Sequence, residues 1–120
     1  MKLLDSFAWI EYFMGSKRGA KVRDYVQGNE PLYTPSICLT EIRLRYLRDK
    51  KDPKARINVI TDRSFITPLD KEIALLAADV KLRHRLHTID SIIYATSQHR
   101  NLVLVTGDQH FKDLPHVEII

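Results

Sequence analysis

Residues 101–108 read "NLVLVTGD". Four apolar residues, Leu102 to Val105, run without a break into Thr106, Gly107 and Asp108. A strand with one wet face alternates apolar and polar side chains. A short unbroken run bounded by turn residues instead belongs to a strand covered on both faces. The stretch therefore predicts an inner strand of a parallel sheet with helices on either side. It also ends on a carboxylate.

Working outward, "KLLDS" (2–6) has the same shape and ends on Asp5. "EPLYTP" (30–35), "SFITPLD" (64–70) and "HVEII" (116–120) supply three more short strands. Amphipathic stretches lie between them. A helix is expected from near Phe7. Val22, Tyr25 and Val26 then fall at helical spacing before Gly28 and Asn29, which suit a helix stop. "SICLTEIRLRYLRDKK" (36–51) begins at a plausible N-cap, Ser36, and repeats apolar residues at Leu39, Ile42 and Tyr46. A short helix is expected over Pro53 to Asp62. Ile73, Leu76, Ala77 and Val80 form one stripe of the next helix, and Ile89, Ile92, Ile93 and Thr96 mark another. Strands alternating with helices predict an α/β fold with a mostly parallel sheet of four to five strands.

The 120 residues predict one domain, 1–120, without linker or repeat. A single cysteine, Cys38, excludes an intramolecular disulfide and suits a reducing cytoplasm. It reads as a small buried side chain. No apolar run approaches the roughly 20 residues needed to span a bilayer, so no membrane role is expected. Two acids interrupt the apolar N-terminal stretch, which reads poorly as a signal peptide. Net charge is +4, compatible with an anionic partner.

In an open parallel sheet, ligands bind beyond the carboxyl ends of strands. Asp5 and Asp108 stand at such ends. Glu41 sits at the edge of an apolar helix face, and Asp90 in the first turn of its helix. Each has a plain alternative. Asp5 would cap the following helix, Asp90 would complement a helix dipole or share capping with Thr88, Asp108 would serve a turn, and Glu41 would be solvated. Together they suggest more, because crowded carboxylates raise one another's pKa unless a cation intervenes. Mg²⁺ or Mn²⁺ suits such an all-oxygen set.

"LLDSFAWIEYF" (3–13), "TPSICLTEI" (34–42), "HTIDSIIYATSQHRNLVLVTGDQHF" (87–111) and the closing strand, taken in order, resemble the PIN-domain family. The resemblance is specifically to the small VapC-like ribonuclease toxins of toxin–antitoxin pairs. It implies a PIN-like three-layer sandwich. It places the family's acidic cluster on Asp5, Glu41, Asp90 and Asp108, with Thr106 and Ser6 in support. Two positions depart: Phe7 stands where members often carry Ser, Thr or Asn, and His110 where some carry another acid.

The resemblance implies a Mg²⁺- or Mn²⁺-dependent endoribonuclease of the cytoplasm, with RNA as substrate. A small antitoxin and a second copy of the chain, forming a homodimer, are the implied protein partners. Arg43, Arg45, Arg48, Lys50, Lys51, Arg83 and Arg85 are the basic residues expected to meet phosphates. Trp9, Tyr12 and Phe13 would serve either the core or an interface. The alternative is a PIN-like module that binds RNA or protein without cutting, and the four acids weigh against it. His84 and His87 lack further zinc ligands nearby and are expected to face solvent or phosphate. No Gly-rich nucleotide loop is present. Phe7 at the second position after Asp5 counts against a haloacid-dehalogenase-like phosphatase, and no acidic pair marks a receiver domain. The length leaves no room for the helical arch of a flap-cutting DNA nuclease.

Overall fold

The computed structural model describes residues 1–120. Five strands, β1 (Lys2–Leu4), β2 (Leu32–Pro35), β3 (Ser64–Thr67), β4 (Val103–Thr106) and β5 (Val117–Ile119), form one sheet ordered β3-β2-β1-β4-β5. Every pairing is parallel. Six helices cover it: α1 (Ser6–Met14), α2 (Gly19–Gln27), α3 (Ser36–Arg48), α4 (Lys54–Arg63), α5 (Lys71–His84) and α6 (Thr88–His99). The predicted α/β sandwich is thus observed, with all five strands parallel.

The pleat explains why the strands read as apolar throughout. Leu3 pairs with Leu104 and both enter the core under α5 and α6, with Ile73, Ile93 and Phe111. Their neighbours Leu4 and Val105 point the other way, onto Ala8, Trp9, Val22 and Ile42. Successive side chains of a strand alternate faces, and here both faces are dry. No helix is long and apolar enough to cross a membrane.

Trp9 is fully buried, and its indole N–H donates to Thr34 Oγ1 at 3.0 Å. Tyr12 and Phe13 pack on it and remain half-buried, so this aromatic group belongs mainly to the core. Cys38 is also fully buried. Ser36 is not the N-cap of its helix; that place falls to Pro35, whose extended backbone (φ −62°, ψ 137°) ends β2, and Ser36 is already helical. His84 is half-buried against the Tyr94 ring rather than facing solvent.

The sheet order places the switch point between β1 and β4. From β1 the chain next adds β2 on one side, and it reaches the other side only at β4. The loops after these two strands diverge and leave a crevice at their carboxyl ends.

Candidate active site

Asp5 follows β1 directly, level with Thr106 on β4, and its N–H reaches Val105 O at 3.4 Å. Asp5 caps a helix and lines a cleft at the same time. One carboxylate oxygen accepts the Ala8 N–H at 2.9 Å and caps α1, while the side chain also meets the Thr106 hydroxyl and lines a cleft. Burial pushes its carboxyl up to about 7, against the pull of the Thr106 and Ala8 hydrogen bonds, and nearby Glu41 and Asp108 add to the rise.

The cleft, of about 380 Å³, is lined by Asp5, Glu41, Asp90 and Asp108 together. Glu41 comes from the middle of α3, where Ser6 Oγ donates to its Oε1 at 2.7 Å. Burial raises its carboxyl, the Ser6 bond offsets part of that, and Asp90 and Asp108 push it further. Asp90 lies in the first turn of α6, where no side chain caps the helix, so Thr88 shares no capping with it. Burial and then Asp108 raise Asp90, while His110 and His87 pull it back. Asp108 accepts the His110 N–H at 2.9 Å and opens a short 3₁₀ turn, Gln109–Phe111. Its own N–H donates to Thr106 Oγ1 at 3.0 Å, so one threonine hydroxyl steadies both strand-end aspartates.

Several cleft residues carry no mark in the sequence pattern of acids and arginines. Phe7, Ile10, Glu11 and Met14 line one wall at helical spacing along α1, and Ile93 lines another. The signal was available: Ala8 and Trp9 turn to the core, which leaves the 7–10–11–14 stripe for something else. Glu11 adds a fifth carboxylate, held by the Ser16 hydroxyl. Of the arginines expected to meet phosphates only Arg45 lines the cleft; Arg43, Arg48, Arg83 and Arg85 are exposed outside it.

Three carboxyls here are raised, so an ionised set is unfavourable without a countercharge. The donors are mostly carboxylate oxygens, which fits a hard divalent cation such as Mg²⁺ or Mn²⁺. Ligand atoms of Asp90, Asp108 and His110 all lie within 4.8 Å of one another. His110 Nδ1 is 3.0 Å from Asp108 Oδ1.

The family model of the PIN domain matches residues 2–117. The chain belongs to the PIN-domain family. Solved PIN-type folds superpose on it closely. A chain from a toxin–antitoxin complex of Klebsiella pneumoniae is 20% identical with a TM-score of 0.84, covering 98% of this chain and 96% of that one. A chain of VapBC2 from Rickettsia felis, bound to a promoter DNA fragment, is 15% identical with a TM-score of 0.79, covering 99% and 96%. VapC20 of Mycobacterium tuberculosis, described as a sarcin–ricin loop cleaving toxin, is 15% identical with a TM-score of 0.77, covering 99% and 98%. At these identities the likeness concerns the fold. No curated protein is similar enough to match.

Proposed function

We propose that this PIN-domain chain is a divalent-metal-dependent endoribonuclease and the toxin of a toxin–antitoxin pair. The observation that carries the reading is the meeting of four carboxylates at the sheet's switch point in a chain of this family. Structural neighbours named as a toxin–antitoxin complex and as a sarcin–ricin loop cleaving toxin support it.

Asp5, Asp90 and Asp108 would hold a Mg²⁺ or Mn²⁺ ion, with Glu41 completing the set. A bound ion of this kind supplies countercharge to a phosphodiester and lowers the pKa of an attached water. The chain's own part is to fix the donors. Thr106 holds Asp5 and Asp108 in register, and Ser6 aims Glu41 into the cleft. Phe7, Ile10 and Ile93 give the cleft apolar walls, which strengthen electrostatic interactions inside it. Arg45, exposed at the rim, would take a flanking phosphate. The same reading makes residues 1–120 a single domain working in the cytoplasm, with a small antitoxin and a second copy of the chain as partners.

The test is incubation of purified protein with total RNA in Mg²⁺, in Mn²⁺ and in EDTA, beside Asp90→Asn. Metal-dependent cutting that the variant lacks supports the reading. Intact RNA in all lanes, together with no calorimetric heat on Mn²⁺ titration, overturns it.

A further inference from the structure

Lys17, Arg18 and Lys21 lie together at the start of α2 and line a shallow basic hollow floored by Ile120. All three are exposed, and none pairs with a carboxylate, as holds for every lysine and arginine of the chain but Lys2, Arg45 and Arg100. Unpaired like charges in one place repel, and such an arrangement is eased by a polyanion. The group's position is fixed by packing. A Cβ at Gly19 would strike the backbone of Glu11 and Tyr12, so only glycine lets the start of α2 lie this close to α1. The Arg18 guanidinium sits 6.0 Å from the centre of the Phe7 ring, and Phe7 is a wall of the acidic cleft. Ile120 is tied to the end of β4 through its N–H to Thr106 O at 2.9 Å. The basic group therefore meets the cleft wall through the contact of Arg18 with Phe7, while Arg45 is the one cation that itself lines the cleft.

We propose that Lys17, Arg18 and Lys21 form the phosphate-binding track that leads single-stranded RNA into the acidic cleft. The inference rests on the nuclease reading above and deepens it. Without a bound ion the acids repel a phosphodiester, so affinity in the metal-free protein must come from cations on the approach, and this cluster adjoins the cleft. Phe7, beside Arg18, offers a ring face on which a base entering the cleft can stack.

Binding of a fluorescein-labelled, mixed-sequence single-stranded RNA is measured by anisotropy across a salt series in EDTA. Wild type is compared with K17E/R18E/K21E and with K54E/K71E, which alters exposed lysines away from the cleft. Each phosphate contact on a single strand contributes about 0.7 to the slope of log K against log salt. Loss of three contacts lowers the slope by about 2, with affinity at low salt falling at least about tenfold, while K54E/K71E keeps the wild-type slope. A K17Q/R18Q/K21Q variant repeats the comparison should the glutamate variant melt early. Equal slopes in wild type and both triple variants overturn the track while leaving the nuclease reading intact. A wild type that neither binds nor cuts RNA removes the nuclease reading, and the track with it.

Discussion

Ser6 Oγ donates to Glu41 Oε1 across 2.7 Å, joining the first residue of α1 to the middle of α3. The bond is the main influence holding the Glu41 carboxyl down against its burial. Ser6→Ala should therefore raise the Glu41 pKa further, read by carboxyl NMR titration. A hydrogen bond to a charged group is worth roughly 1.5–3 kcal/mol, so Mn²⁺ affinity should fall by about tenfold or more. An unchanged Glu41 titration would mean that the serine does not hold the carboxylate in solution.

Asp5 gives the metal-free protein a pH dependence of definite sign. Its folded pKa, about 7, lies above the ordinary aspartate value of 3.8, so between these values the folded chain binds the extra proton. Stability is then highest at low pH within this window and falls as pH rises through about 7. A pKa that differs by one between the folded and unfolded chain corresponds to roughly 1.4 kcal/mol. Glu41 and Asp90 act in the same direction. In EDTA, the melting temperature should be higher at pH 5 than at pH 8.5, and Mn²⁺ should recover the loss at pH 8.5. Asp5→Asn keeps an acceptor for the Ala8 N–H while removing the charge. It should flatten the pH dependence and abolish cleavage together. A variant that keeps the wild-type slope would place the buried proton elsewhere.

His110 brings a nitrogen donor to a site otherwise built of oxygens. Imidazole favours first-row transition ions and adds little for Mg²⁺. His110→Ala should weaken Mn²⁺ binding by about tenfold, a cost typical of groups around a metal, with a much smaller change for Mg²⁺. His110→Asp should shift preference toward Mg²⁺. Calorimetric titration of both ions separates these outcomes, and equal losses for both would reduce His110 to a partner of Asp108.

Strands β1 and β4 were legible because both of their faces are covered, so apolar runs alone located them and the acids that end them. Asp5 and Asp108 could be placed from chain order, since a parallel sheet puts its site beyond strand ends. Glu41 and Asp90 could not be brought to them from spacing, because their approach depends on how α3 and α6 sit on opposite faces of the sheet; only the family resemblance joined the four. The cap of α3 was missed by one position because Pro35 both ends β2 and precedes the helix. The arginines misled for a related reason. A run of charge on an amphipathic helix looks the same whether it faces a site or open water, and Arg43 and Arg48 are exposed outside the cleft while Arg45 lines it.

Phe7 and Gly107 are matched in a way that bears on why an aromatic stands at position 7. A Cβ at Gly107, between the end of β4 and Asp108, would clash with the edge of the Phe7 ring at its Cε1. Gly107 does not have a positive φ, so alanine meets no backbone penalty there and its effect is purely steric. Gly107→Ala should cost about 1–3 kcal/mol in chemical denaturation, the range for overpacking, and should lower activity by displacing Asp108. Phe7→Ser removes the obstructing ring, so the double variant should recover most of that loss. The coupling should fall within the roughly 0.5–3 kcal/mol seen for contacting residues. Additive losses would show that the ring was not the obstacle. A recovered stability without recovered RNA affinity would separate the two roles of Phe7, filling the space over Gly107 and offering a face to an incoming base.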